Sequence, residues 1–193
     1  MQKTLVAIAV ALLMGCASEP KETAAPPVDP NVAQARGITK NFADSLRAEL
    51  TAGLQAGGPT NAIAVCKDKA PAIAKAEQQK AGWQKVGRTS LKLRNPSNNP
   101  DDWELAVLKK FDERRAAGED PAKIEYSEVV AAGGKKTFRY MKAIPTQEVC
   151  LACHGENIDK ATAAKLAKLY PKDKARGFKV GDLRGAFTMS KDL

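Results

Sequence analysis

The fold of this chain is organised around the stretch Cys150-Leu151-Ala152-Cys153-His154. Its C-x-x-C-H spacing puts two thiols on one helical turn, where they can reach the two vinyl groups at one edge of a porphyrin. The histidine that follows is carried beneath the iron, where its imidazole can act as the proximal ligand. The pattern therefore predicts covalent attachment of one haem c.

A C-x-x-C pair can also bind zinc or form a redox-active disulfide. A structural zinc site needs four protein ligands, but the 193 residues contain no second Cys pair and no other histidine, so such a site would lack partners. A thioredoxin-like motif requires a βαβ setting, which the flanking sequence does not offer. Haem attachment is therefore the favoured interpretation.

Residues 1–15 have the pattern of a bacterial lipoprotein signal peptide. Lys3 is followed by ten consecutive apolar residues, Leu5 to Met14, a run too short to span a bilayer. The run ends in Leu13-Met14-Gly15-Cys16, which resembles the lipobox, where a peptidase cuts before the cysteine and the cysteine carries the lipid. Cys16 is therefore the predicted lipidation site. The alternative is ordinary cleavage with a structural Cys16.

The signal predicts a location on the periplasmic side of a membrane. Ala17-Ser18 lacks the acidic residue that, by the same resemblance, retains lipoproteins at the inner membrane, so we expect the outer membrane of a Gram-negative bacterium. No other stretch approaches transmembrane length, so the lipid is the only membrane anchor that the sequence predicts. Residues 16–30 are rich in Pro, Ala and charge and are predicted to form a flexible tether, and residues 31–193 a single domain.

The formal net charge of +9 favours anionic partners or membrane surfaces, or it reflects a generally solvated Lys-rich surface. No dense basic block stands out, which favours the second interpretation. Nucleic acid is excluded as a partner by the predicted export.

Two helices are predicted first. Ile38, Phe42, Leu46 and Leu50 recur every four residues, and Gly57-Gly58-Pro59 ends that helix. A second helix, over 61–80, carries an apolar stripe and contains Pro71, where we expect a kink or a break. The stripe consists of Ile63, Cys66, Ala70 and Ile73.

The rest of the chain predicts strands with helical insertions. An irregular strand over 83–94 precedes a helix over 103–117, capped by Asp101 or Asp102. Strands over 124–131 and 135–144 form a hairpin about Gly133-Gly134, and a helix over 158–169 precedes a last strand over 183–189. Helices followed by antiparallel strands with helical insertions predict an α+β fold.

The second axial ligand of the iron is less evident. His154 is the only histidine, so two histidines from one chain are excluded. Cys66 is the cysteine without another predicted role: it can be a buried apolar residue, an intermolecular disulfide partner or a thiolate ligand. Met141 and Met189 are the other soft donors of the mature chain, and a site left open for a gas ligand is a further alternative.

Several stretches, in order, resemble a family of PAS-like mono-haem c-type proteins, which includes soluble cyanobacterial cytochromes and sensory domains of chemoreceptors and histidine kinases. The resemblance implies a PAS-like antiparallel sheet behind N-terminal helices. It also implies His/Cys axial ligation, with Cys66 at the ligand position. The matching stretches are Ala62–Cys66, Ala70-Pro71, Val86–Ser90, Leu93–Pro96, Cys150–Gly155, Tyr170-Pro171 with Asp173, Ala175 and Gly177, and Gly181–Gly185.

Three further residues are candidates for the haem pocket. Arg88 and Arg94 fall in the Arg-rich segment of the family, and a guanidinium can pair with a haem propionate. The alternative for Arg94, which precedes Asn95-Pro96, is that it holds a loop. Tyr140 is a candidate wall residue, but an ordinary core aromatic explains it equally well.

Two functions remain. An iron with both axial positions filled has no place for a substrate, and no separate catalytic constellation is evident, so we expect no enzyme activity. A thiolate stabilises ferric iron, which predicts a low-potential electron carrier serving an unidentified redox partner protein. The alternative is a redox or diatomic-gas sensor that acts through a separate partner, an interpretation that PAS-like architecture supports by analogy only.

Overall fold

The computed structural model describes residues 28–193, so the predicted signal peptide, Cys16 and most of the predicted tether lie outside the described residues. The first helix begins at Pro30, one residue before the predicted domain start. No helix in the part of the chain that the structure describes is both long and apolar enough to cross a membrane. The elements are α1 (Pro30–Ala64), a π-helical turn (Val65–Lys69), α2 (Ala70–Ala81), β1 (Lys85–Thr89), a 3₁₀ turn (Pro96–Asn98), α3 (Asp102–Ala116), β2 (Glu125–Ala132), β3 (Lys135–Pro145), α4 (Glu148–His154), α5 (Lys160–Leu169) and β4 (Leu183–Asp192).

The four strands form one antiparallel sheet in the order β1-β4-β3-β2. The predicted hairpin is present, and Gly133 and Gly134 at its tip both have positive φ angles of 58° and 78°. Such angles favour glycine because a side chain would crowd the backbone. The predicted α+β fold, with helices before an antiparallel sheet, is confirmed.

The sheet is covered on both faces. Side chains alternate along β3, so Phe138 and Tyr140 pack against α1, whereas Met141 and Ala143 pack against α3. The α1 side includes an edge-to-face pair of Phe42 and Phe187, whose ring centroids lie 5.2 Å apart. The end of β1, the start of β4 and α4 together form one end of the domain.

The start of α3 follows the prediction. The Asp101 carboxylate accepts from the Glu104 backbone N–H at 2.8 Å, and the Glu104 carboxylate accepts from the Asp101 backbone N–H at 3.0 Å. This capping box satisfies two backbone donors at the helix N-terminus. Glu104 is fully buried and also accepts from the Thr188 hydroxyl, which ties the helix to β4.

The predicted strand over 83–94 was too long. The strand ends at Thr89, and Leu91, two residues further on, is 42 % exposed. Ser90 turns the chain out of the sheet by donating its hydroxyl to the Arg184 carbonyl oxygen at 2.8 Å. The segment after β1 is therefore a loop that folds across the end of the sheet.

Both predicted helix interruptions are present, in altered form. At Gly57 and Gly58 the backbone leaves helical angles, so α1 is two helical pieces across a kink. Before Pro71 the chain widens into the π-helical turn, where the Ala70 N–H bonds to the Val65 carbonyl oxygen five residues back. Proline lacks an N–H and crowds the carbonyl of Lys67, which explains why the regular pattern fails there.

Candidate functional site

A cavity of about 800 Å³ lies where the helices meet the end of the sheet. Residues from several elements line it: Leu46, Leu50 and Ile63 of α1, Cys66 of the π-helical turn, Val86 and Arg88 of β1, Cys150, Cys153 and His154 of α4, Tyr170, and Arg184 of β4. The structure therefore brings the predicted attachment motif and Cys66 to one cavity, although 84 positions separate Cys66 from Cys150 in the sequence.

The His154 ring is held in one orientation. Its Nδ1 lies 2.8 Å from the Ala175 carbonyl oxygen, and since a carbonyl can only accept, Nδ1 carries the proton. Burial first, and then the charges of Arg184 and Arg94, lower the pKa of His154 to about 2, so the imidazole is neutral. The Nε2 therefore carries the lone pair that could bind a metal, and it accepts a long hydrogen bond from the Arg184 Nε at 3.4 Å.

Cys150 and Cys153 lie on the same short helix as His154 and are both half-buried free thiols. Burial raises the pKa of Cys153, so its side chain is a protonated thiol at neutral pH. Two thiols on one turn at the cavity wall satisfy the requirement for thioether attachment to one edge of a porphyrin.

Cys66 is a half-buried free cysteine within the π-helical turn. Such turns are rare and are frequent at functional sites. The alternative donors Met141 and Met189 are both fully buried, in the clusters on the two faces of the sheet, and neither lines the cavity. Of the soft donors in residues 28–193, Cys66 is thus the one that reaches the cavity in addition to the attachment cysteines.

Arg94 lines the cavity, and protein groups occupy its Nε and Nη2. Its Nε donates to the Asp173 carboxylate at 3.2 Å, and its Nη2 donates to the carbonyl oxygens of Cys153 and Ala175. The guanidinium therefore fastens the end of α4 to the segment that orients His154. The alternative, that Arg94 holds a loop, agrees with this arrangement.

Arg88 and Arg184 are the guanidinium groups available at the cavity. Neither forms an ion pair with a carboxylate among the described residues. The Arg88 Cζ lies over the Phe42 ring, 5.6 Å from its centroid. Arg184 donates to the Ser90 hydroxyl at 3.2 Å. Burial lowers the pKa of Arg88, and burial followed by the charges of Arg94 and Arg88 lowers that of Arg184 to about 10.

Half-buried cations without a carboxylate partner among residues 28–193 favour an anionic ligand, because an uncompensated charge is costly where water is partly excluded. Sequence reasoning missed Arg184. Its only signal was a place within Gly181–Gly185, one of the stretches that resemble the haem c family.

Tyr140 lies away from the cavity, so its suggested role as a wall residue is wrong. Its ring belongs to the cluster between α1 and the sheet, and its hydroxyl donates to the Glu125 carboxylate at 2.7 Å. Tyr170 lines the cavity instead. Burial first, and then the negative charge of Cys66, raises the pKa of Tyr170 to about 12.

Together these groups fit a covalently bound haem. The two thiols can form thioethers, and the His154 Nε2 and the Cys66 sulfur can be axial ligands. The two guanidinium groups without a carboxylate partner can donate to propionates. The wall between them is apolar, with Leu46, Leu50, Ile63 and Val86, as a porphyrin face requires.

Comparison with known proteins agrees with this site. The crystal structure of the cyanobacterial heme-protein Tll0287 matches with a TM-score of 0.65 and 26 % sequence identity, covering 86 % of this chain and 98 % of that one. A search of curated proteins found no match. The model of the Tll0287-like family matches residues 23–191, most of the sequence. The chain therefore belongs to the Tll0287-like family.

Proposed function

We propose that this protein is an exported cytochrome that binds one haem through thioethers to Cys150 and Cys153, with His154 and Cys66 as axial ligands. The observation that carries the proposal is that one cavity is lined by all four residues, which come from α4 and from the π-helical turn. The similar solved structure is that of a heme-protein. When bound, haem supplies one-electron redox chemistry, and the chain supplies binding, orientation and electrostatics.

Each residue has a distinct task in this proposal. The Ala175 carbonyl fixes the tautomer of His154, so that Nε2 is the ring nitrogen that would bind the iron. Arg88 and Arg184 would neutralise the propionates, which accounts for two half-buried cations without a carboxylate partner among residues 28–193. The Cys66 thiolate favours ferric iron and thereby lowers the reduction potential.

Electron transfer is the function that this arrangement supports best. With both axial positions filled by the protein, no position on the iron is left for a substrate, so we propose a low-potential electron carrier without enzyme activity. Its partner would be another redox protein at the same membrane surface.

Sensing is the second candidate, and one observation favours it. Cys66 lies in a π-helical turn, a local irregularity in which a small change of hydrogen-bond register can move a side chain. Binding of CO and NO to ferrous protein separates the candidates. A carrier binds these gases slowly or not at all, whereas a sensor binds them quickly and changes hydrogen exchange around the π-helical turn.

Mass spectrometry of the purified, denatured protein tests haem attachment. We expect the mass of the processed polypeptide plus one haem, retained through acid–acetone extraction. Matched Cys150→Ser and Cys153→Ser variants should each lose one thioether. Haem that is extracted from the wild-type protein would refute covalent binding.

We also propose that Cys16 is lipidated and holds the protein at the outer membrane. The support is the lipobox pattern of the sequence. The Cys16→Ser variant should leave the membrane fraction or stay unprocessed, with Ser18→Ala as the control. A soluble wild-type protein that begins at a residue other than Cys16 would contradict this proposal.

A further inference from the structure

The ring of Phe178 lies directly beside the imidazole of His154. The two rings meet edge to face, with their centroids 6.2 Å apart and an angle of 87° between their planes. The Phe178 backbone N–H also donates to the His154 carbonyl oxygen at 3.0 Å. Phe178 is buried, so these contacts hold its ring in a fixed place against the proposed proximal ligand.

Lys92 connects this buried ring to solvent. Its Nζ lies over the Phe178 ring, 5.0 Å from the centroid, and the residue is exposed. The Arg184 Cζ also lies over this ring, at 5.4 Å. Both distances are in the range of cation–π contacts. One aromatic ring therefore separates His154 from an exposed lysine.

Backbone hydrogen bonds join two segments into one surface here. The Lys174 N–H donates to the Leu93 carbonyl oxygen at 2.7 Å, and the Gly177 N–H donates to the Gly155 carbonyl oxygen at 3.0 Å. Residues 172–180 therefore run between the loop that follows β1 and the end of α4. We call residues 91–93 and 172–180 together the proximal surface.

The proximal surface is positively charged. Its one carboxylate, that of Asp173, is only 2 % exposed and is paired with Arg94 and Arg176. Beside the surface, Glu156 lies 3.7 Å from Lys179 and offsets one further charge. The basic residues of the proximal surface are Lys92, Lys172, Lys174, Arg176 and Lys179. A second copy of this chain would bring like charges together, so an acidic partner fits this surface better.

Two aliphatic side chains are exposed within the proximal surface. Leu91 precedes Lys92, and Val180, which is 53 % exposed, follows Lys179. Apolar groups rimmed by charged residues can form the contact centre of a protein interface, while the surrounding charges steer the partner. The proximal surface has both parts.

We infer that the proximal surface is the docking site of an acidic redox protein, which exchanges one electron with the bound haem from the side of His154. The inference rests on the proposed electron transfer and adds the chemistry of the partner. In each encounter the partner loses the electron that the haem gains, or the reverse. The chain contributes the charges that attract the partner and the short path through Phe178 and His154.

Stopped-flow kinetics of the haem-loaded, full-length protein test this inference. The probe is a reduced plant-type [2Fe–2S] ferredoxin, an acidic one-electron carrier. The variant combines Lys92→Gln, Lys172→Gln and Lys174→Gln, which are exposed and form no ion pair among residues 28–193. At low ionic strength its second-order rate constant should be about tenfold below that of the wild type. This difference should disappear as salt is added, because salt screens exposed charges.

The matched control combines Lys109→Gln, Lys123→Gln and Lys136→Gln. It removes the same net charge from exposed positions outside the proximal surface, so its rate constant should stay within about twofold of the wild type. Visible spectra of both triple variants show whether the haem site is intact. An equal loss of rate in both variants, or a wild-type rate that does not fall with ionic strength, would overturn the inference.

A second measurement uses the wild-type protein only. Lys92, Lys172 and Lys174 should be protected from acetylation when ferredoxin is present, and mass spectrometry measures this protection. Protection by phosphatidylglycerol vesicles but not by ferredoxin would overturn the inference, because the surface would then bind an anionic membrane.

The outcomes also separate this inference from the proposal on which it rests. A wild-type protein without a reversible one-electron couple would refute the proposed electron carrier and the inference with it. A reversible couple together with equal rates for the two triple variants would refute only the docking site.

Discussion

The His154 Nδ1 lies 2.8 Å from the carbonyl oxygen of Ala175, and Arg94 donates to this same oxygen at 3.1 Å. Asp173, two residues earlier, accepts from Arg94 and from the backbone N–H of Ala175. The segment from Asp173 to Ala175 is therefore a strap that fixes the orientation of the histidine. Arg94 fastens this strap to the end of α4 through the Cys153 carbonyl oxygen.

The strap predicts the effect of Asp173→Asn. Asp173 has a side chain only 2 % exposed and is the counterion of buried Arg94, so the variant should lose about 3–5 kcal/mol of unfolding free energy. Urea denaturation of haem-loaded protein at neutral pH measures this loss. Asp112→Asn is the control, since Asp112 forms a half-exposed pair with Arg115 on α3. A loss no larger than that of the control would contradict the role of the strap.

The same variant predicts a pH dependence. Burial raises the pKa of Asp173, but hydrogen bonds from Arg94, Arg176 and Ala175 outweigh it, so the folded-state pKa is lowered. A lowered pKa stabilises the fold above the unfolded-state value of about 3.9, and that stabilisation is lost as the pH falls through the folded-state pKa. The difference between wild type and Asp173→Asn should therefore be full at pH 7 and shrink below about pH 4. A difference that stays constant down to pH 2 would be inconsistent with this linkage.

Cys66→Ser tests the second axial ligand. Covalent haem should be retained, because Cys150, Cys153 and His154 are unchanged. The ferric electron paramagnetic resonance spectrum should lose its low-spin thiolate signature, and the potential should rise because an anionic donor that favours ferric iron is gone. Met189→Leu is the control, since Met189 lies in the core and outside the cavity. If Cys66 is only a buried thiol, its variant loses stability and keeps the wild-type spectrum.

Arg184→Gln tests the neutralisation of a propionate. Loss of a half-buried positive charge at the cavity should lower the potential of the bound haem and raise the pKa of the propionate. The potential should then vary with pH between about 5 and 8, where the wild-type potential is flat. Redox titrations across this range measure the change. Arg47→Gln, at an exposed position of α1, is the control and should keep the wild-type dependence of the potential on pH. If Arg184→Gln shows the same dependence as this control, Arg184 does not neutralise a propionate.

Gly185→Ala tests the close approach of β4 to the end of β1. A Cβ atom at Gly185 would lie 2.3 Å from the backbone oxygen of Thr89, which a strand can relieve only by shifting. We expect a loss of about 1–3 kcal/mol in unfolding free energy, and a disturbed haem spectrum because Gly185 lines the cavity. Gly37→Ala is the control: nothing lies within 4 Å of its added Cβ, and alanine favours the helix. Equal stability of both variants would contradict the close contact.

Local features were predictable from the sequence. The capping box of Asp101 and Glu104, the hairpin at Gly133-Gly134 and the interruption at Gly57-Gly58 involve residues within four positions of one another. Their hydrogen bonds and backbone angles are fixed by near neighbours, so a short stretch is sufficient to specify them. Pro71 was expected to kink its helix, but sequence alone did not specify that the irregularity would be a π-helical turn.

By itself, the sequence determined the attachment motif at Cys150, Cys153 and His154, because its chemistry depends on spacing within one helical turn. The tertiary structure decided which distant groups share the site. It paired Arg94 with Asp173, brought Arg184 to the cavity, and put Tyr170 there instead of Tyr140. Such contacts join residues that are far apart in the chain. The sequence around an arginine or a tyrosine does not reveal which distant group its side chain will contact. Only the packing of helices on the sheet selects its partner.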